Sequence, residues 1–342
     1  MNYQRLSWVL WNFVGSLLLL PHVSVSQPAY NFEKSSNQIN LQTLTPLKLG
    51  LPIDCTLGKD CHILAYFDKD AGPEFKDFGG GRQTYNGHDG TDFAIASAAA
   101  MAQGVAVKAA AAGTVMWVRD GVADKRVENE QQAKDISALG CGNAVIIRHP
   151  NAWRTYYCHL RNGSLAVKPG MQVVQGAVLG MVGNSGLASY PHVHFGVLHQ
   201  GRKIDPFGPD SLWQEPVAYV ETGLISAGFS QQKENIHAVW QGVASPLFLT
   251  TKAPALFFWV HPFGVLAGDI EKFYLIDPDG QSFMQSNVAI KSSNRINRVS
   301  FIGQTNAPEN FLKEGTWRGT YQLYRNEKLL IDIQRLIDIR KP

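Results

Sequence analysis

The sequence has no CxxC pair, no second long apolar run, little net charge and few stretches with a sustained helical period. Each lack removes a class of protein. Without CxxC-like spacing, the four cysteines do not read as a cysteine-based zinc site. Past the first 26 residues nothing approaches the roughly 20 apolar residues of a membrane span. A balance of 31 Lys+Arg against 28 Asp+Glu argues against nucleic acid or a membrane surface as the partner. No internal repeat or low-complexity tract is visible, and the scarcity of amphipathic helical periods leaves short strands as the main element.

What is present begins with "MNYQRLSWVLWNFVGSLLLLPHVSVS", residues 1–26. One positive charge, Arg5, precedes a mostly apolar run that closes on Ser24-Val25-Ser26, the layout of a cleavable signal peptide. The expectation is an exported protein, periplasmic or secreted, with no stable membrane insertion after cleavage. In an oxidising compartment the cysteines read as two local disulfides. Cys55 pairs with Cys61 across "DCTLGKDC", and Cys141 with Cys158 across the hairpin "CGNAVIIRHPNAWRTYYC".

Residues 27–50 form an extended lead-in, and 51–210 a Gly-rich region of β-type runs such as "NAVIIRHP", "WRTYYCHL" and "HVHFGVL". "IASAAAMAQG" is helical by its alanines, and the charged "DKRVENEQQAKDIS" reads as a helical or irregular surface insertion, within the stretch Arg119–Leu139. Residues 211–224 make a linker. In 225–342, strand-like runs and the Asp277-Pro278-Asp279-Gly280 turn predict an antiparallel β-sandwich. The closing "KLLIDIQRLIDI" is assigned to strand, and Phe257, Phe258 and Trp259 to the sandwich core. His149, before Pro150, reads as a surface turn residue, Asn184-Ser185-Gly186 as a turn, and Tyr157 as sharing a face with His159. His22 leaves with the signal peptide, and His62, His199, His237 and His261 receive no role.

"YNGHDGTDFAI" sets His88 and Asp92 four apart on a glycine-bearing loop entering a strand. "TYYCHL" ends a strand with His159, and "PHVHF" puts His192 and His194 on one strand face. Two histidines and a carboxylate can hold zinc with one position open, the pattern of a catalytic site.

In order along the chain, "GHDGTDFA", "GTVMWV", "YYCHL", "VKPGMQVVQGAVLGMVGNSG" and "PHVHFGV" resemble the lysostaphin-type (LytM-like) zinc metallopeptidases, over roughly residues 80–206. The resemblance implies a mainly β protein: a small antiparallel β-sheet peptidase domain with a catalytic groove, followed here by the sandwich. It implies one Zn2+ per chain on His88, Asp92 and His194, with His159 and His192 as the catalytic pair. The implied substrate is a peptidoglycan stem or cross-bridge peptide. Two rival readings are a non-catalytic wall-binding or amidase-activating protein with a vestigial site, and a protease acting outside the wall. One departure is Phe195-Gly196, where the family often places an acidic residue after the phenylalanine. Oligomeric state is not readable.

Overall fold

The run His192–His199 is an interior strand of the largest sheet because Val193, Phe195 and Val197 bury one face completely. The structure, a computed structural model, describes residues 47–243, 245–306 and 311–342. The expected signal peptide, 1–26, and the lead-in up to residue 46 lie outside the described residues.

The first half runs β1 (Cys61–Ala65), β2 (Thr91–Ile95), α1 (Ala98–Gln103), β3 (Ala106–Lys108), β4 (Gly113–Arg119) and α2 (Glu130–Ile136). It continues with β5 (Asn143–Arg148), β6 (Trp153–Leu160), β7 (Gln172–Val173), β8 (Val178–Met181), β9 (His192–His199) and β10 (Arg202–Ile204). The second half holds β11 (Gly223–Ser230), α3 (Ile236–Gln241), β12 (Phe248–Thr250), β13 (Ala255–Phe263) and β14 (Ile270–Ile276). β15 (Ser282–Ala289), β16 (Ser300–Thr305), β17 (Gly315–Arg325) and β18 (Lys328–Arg340) complete it.

The main sheet has the order β1-β2-β9-β6-β5-β4-β7, with β10 beside β9, and its pairs are antiparallel. Its buried face packs Phe93, Val145, Tyr157, Val193 and Phe195 into one core. Trp213 joins that core and Tyr219 packs against it, so part of the expected linker is fastened to the first half. The alanine-rich helix forms as α1, and the charged insertion is helical over α2. Ser97 caps α1 by accepting the Ala100 N–H, and Asn129 caps α2 within the insertion. Both local disulfides are formed, Cys55–Cys61 and Cys141–Cys158.

The second half is two facing sheets, β11-β13-β16 and β12-β18-β17-β14-β15. Phe258, Val260 and Ile302 from one meet Phe273, Trp317, Tyr321 and Ile337 from the other in a single core. The pairs are antiparallel except β12 with β18, which is parallel. Of the three aromatics expected in the sandwich core only Phe258 joins it; Phe257 and Trp259 are buried on the opposite face of β13, and the C-terminal run is strand β18.

Two readings need correction. His149 is buried, not a surface turn residue: Nδ1 bonds the Ala112 carbonyl at 2.7 Å and Nε2 meets Thr155 Oγ1 at 2.8 Å. Tyr157 does not share a face with His159. In β5–β6 the pairs Val145↔Tyr157 and Asn143↔Leu160 leave Cys158 and His159 opposite Ala144 alone, a β-bulge. Tyr157 therefore points into the core, its hydroxyl taking the Ala110 N–H, while His159 turns away at φ 63°.

A third cluster joins the halves. Leu64, Ala94 and Tyr190 pack with Ile225, Trp240, Phe263 and Ile296. His62 and His261 sit in this seam, each pushed down to about 4, in both cases chiefly by burial. An imidazole held neutral in the fold protonates more readily when unfolded, so its stabilisation is present above about pH 6.5. It is lost as pH falls from there towards 4, on the order of 2–3 kcal/mol for each group. Melting temperature should drop by roughly 5–10 °C between pH 7.5 and 5, and by less in a His62→Gln/His261→Gln double variant. Parallel pH curves for the two proteins would contradict this.

Candidate active site

Register sets the first two groups. Asp92 of β2 lies directly opposite His194 of β9, and Ala94 opposite His192, so these three side chains share the face away from the core. Asp92 Oδ1 stands 2.9 Å from His194 Nδ1 and 3.0 Å from His88 Nε2, and the two nitrogens are 3.1 Å apart. His88 arrives from the loop before β2, which Asp68 secures by accepting the N–H groups of Asp70, Lys76 and Gly87. Gly90 lets this loop pass the site: a Cβ there would fall 2.6 Å from His194 Nε2 and from the Phe195 carbonyl oxygen.

The outer hydrogen bonds decide what the inner atoms offer. His88 Nδ1 is 2.6 Å from the Tyr66 carbonyl, so it carries the proton and leaves a lone pair on Nε2. His194 Nε2 is 3.1 Å from Asp89 Oδ1, which leaves the lone pair on Nδ1. Tyr190 donates its hydroxyl to Asp92 Oδ2 at 3.0 Å. Three electron-rich atoms thus face one point inside a buried site, an arrangement that only a proton or a cation relieves. Donors about 2.0–2.1 Å from a tetrahedral ion stand roughly 3.3 Å apart, so this triangle fits one metal ion with small adjustment. His88, Asp92 and His194 form a possible metal site.

The electrostatics agree. Burial pushes the Asp92 carboxyl up, but His88, His192 and His194 outweigh it and hold it well below the usual carboxylate range. Burial lowers His194, yet hydrogen bonds to Asp89 and Asp92 raise it to about 9, the mark of a site that attracts positive charge. Burial also opposes ionisation of Asp89, but His194 and Lys203 win and keep it charged.

His159 and His192 lie beside the triangle with ring centroids 4.6 Å apart. His159 Nδ1 bonds the Ser185 carbonyl and His192 Nδ1 the Tyr190 carbonyl, both at 2.8 Å, so both Nε2 atoms carry lone pairs. Burial lowers both imidazoles, His159 well below its ordinary value with help from the neighbouring His192 and His194. The two line a cavity of about 310 Å³ with Asp92, Tyr190, Leu187 and Arg295. A second cavity of about 300 Å³ continues past His88, Tyr156 and His194. Between them they form a groove that crosses the triangle of His88, Asp92 and His194.

The structure therefore brings together all five residues singled out by motif. It adds partners that were not singled out. Asp89 and Tyr190 lie inside the same motif stretches, where only their contacts distinguish them. Ser185, read as part of a turn, is buried; it fixes His159 and also takes the Asn143 N–H on its hydroxyl. Gly196 has a packing reason: a Cβ would fall 1.9 Å from Tyr156, whose hydroxyl bonds the Asp89 carbonyl beside the site.

The model of peptidase family M23 matches residues 86–206, the stretch that carries this site. Among curated relatives, peptidoglycan DD-endopeptidase ShyA of Vibrio cholerae is 32% identical over 118 residues, covering 34% of this chain and 22% of that protein. ShyC of the same species is 36% identical over 95 residues, covering 28% and 19%. The chain spans about a fifth of the length of these relatives. The catalytic domain of lysostaphin from Staphylococcus simulans is 20% identical, over 42% of this chain and 85% of that one, with a TM-score of 0.26.

If Asp89 orients His194 as a metal ligand, Asp89→Asn should weaken zinc binding about 10–100-fold. Asp92→Ala should remove stoichiometric binding altogether. Competition against a chromogenic chelator reads both, and an unchanged affinity in Asp89→Asn would exclude Asp89 from the ligand support.

Proposed function

We propose, from the match of residues 86–206 to the model of peptidase family M23, that this protein is an exported zinc endopeptidase that hydrolyses peptidoglycan stem or cross-bridge peptides. The observation that carries the reading is that His88, Asp92, His194, His159 and His192 converge on one groove with every outer nitrogen or oxygen tied to a partner. A vestigial, binding-only site has no need of that order.

In this reading His88 Nε2, Asp92 Oδ1 and His194 Nδ1 hold zinc. Bound there, zinc supplies Lewis acidity, making water a nucleophile near neutral pH and polarising a carbonyl oxygen. The remaining work falls to the chain. His192 and His159, neutral and with Nε2 exposed to the groove, are placed to take the proton of the attacking water. The same nitrogens, once protonated, donate to the developing oxyanion and then to the leaving amine as the C–N bond breaks. Burial keeps both imidazoles neutral in the resting site, which suits a base. The Ser185 and Tyr190 carbonyls hold the Nδ1–H tautomers, so Nε2 is the atom presented.

The two disulfides support an oxidising compartment outside the cytoplasm, periplasmic or extracellular. We take 51–210 as the catalytic region, 211–224 as the connection and 225–342 as an accessory sandwich.

Mass analysis of muropeptides released from purified peptidoglycan, with and without a zinc chelator, tests the reading. Chelator-sensitive loss of cross-linked dimers with new free amino ends is the expected result. A folded, zinc-loaded protein that releases nothing from any wall type would overturn it. His159→Gln and His192→Gln should each lower turnover about 10²–10⁴-fold with zinc retained. Turnover at the parent rate in either variant would remove that residue from the mechanism.

A further inference from the structure

The active-site groove does not end within the peptidase half. A larger cavity of about 560 Å³ lies against it, lined by Phe75, Arg82 and Tyr85 on one side and Asn294, Arg295 and Arg325 on the other. It shares two walls, Tyr85 and Arg295, with the cavity that holds His159 and His192. Arg295 belongs to the loop between β15 and β16, so a residue of the C-terminal sandwich stands where the two cavities meet.

The arginines of this region differ in how their charge is met. Arg325 is answered by Asp269 at 2.8 Å and by Glu221 at 3.3 Å. Arg298 is paired with Glu271. Arg295 gives Nη1 to the Leu64 carbonyl at 2.7 Å and lies 5.0 Å over the Tyr85 ring, and among the described residues no carboxylate pairs with it. A guanidinium has five N–H donors, and its planar fork fits a carboxylate with two parallel bonds. Half-burying that charge beside a groove, against an aromatic face and a neutral carbonyl, is favoured when an anion arrives to complete it.

We propose that Arg295 is a specificity-determining residue that binds a free carboxylate of the peptide substrate where the strand leaves the catalytic groove. The sandwich then completes the substrate site. This rests on the endopeptidase reading. The competing role is a tether alone, holding the sandwich to β1 through the Leu64 carbonyl.

A substrate pair separates the roles. One purified cross-linked muropeptide dimer is prepared with free carboxylates and with the same groups converted to carboxamides. The parent protein should cleave the free acid with kcat/KM about 10- to 100-fold higher, expressed mainly in KM. Arg295→Gln should lose that preference by slowing far more on the free acid than on the amide. Arg295→Lys, a point charge without the fork, should keep part of it. Equal cleavage of both substrates by the parent would overturn the proposal and leave the endopeptidase reading standing. So would an Arg295→Gln protein that slows equally on both, which is the tether's signature. Cleavage of neither by the parent would overturn both.

Discussion

The buried carboxylate of Asp92 is the constraint on which the site depends. It sits 2% exposed, in the middle of a sheet, with its charge retained. A carboxylate so placed is costly unless positive charge and hydrogen bonds surround it. One oxygen takes the Tyr190 hydroxyl and the other faces two imidazoles whose lone pairs point the same way. The outer bonds to the Tyr66 carbonyl and Asp89 exist to hold those imidazoles in the tautomers that leave the lone pairs inward. Affinity for a cation is thus built into the polar network of the fold.

The second requirement is that His159 leave the core. A regular strand would have sent it the same way as Tyr157, into apolar packing. The bulge in β6 inserts one residue and turns His159 out at φ 63°, a conformation costly for a residue with a Cβ. Three contacts hold it there: the His159 N–H on the Cys141 carbonyl, Nδ1 on the Ser185 carbonyl, and the Cys141–Cys158 disulfide immediately beside it. The disulfide fixes a strained turn at the groove wall as well as cross-linking the hairpin.

The two halves of the chain are coupled at the same point. Tyr190, which supports Asp92, stacks on Trp240 of α3 at 5.3 Å, and Trp240 packs edge-on against His261 of β13. The second half therefore buttresses the hydroxyl that steadies Asp92, and its Arg295 reaches the groove. A sandwich of this kind, joined through a buried seam, is part of the site's construction.

Much was legible in the sequence. The spacing of His88 and Asp92, the HxH of His192 and His194, and His159 after Cys158 named the five positions that converge on the groove. Alternating apolar residues named the strands, and local cysteine pairs the disulfides, because these signals lie close along the chain, 17 positions apart at most for the cysteines. What lay beyond reach depends on register and long-range packing. A one-residue bulge inverted the reading of Tyr157. Burial of His149 follows from Ala112, 37 residues away, and Thr155. Arg295 reaches the groove from a loop nearly a hundred residues past the last motif, bonding Leu64 across 231 positions. The sequence determined which chemical groups are available and on which strand faces they start; only the tertiary structure decided which of them meet, because sheet order and seam packing bring together residues whose chain separation carries no signal.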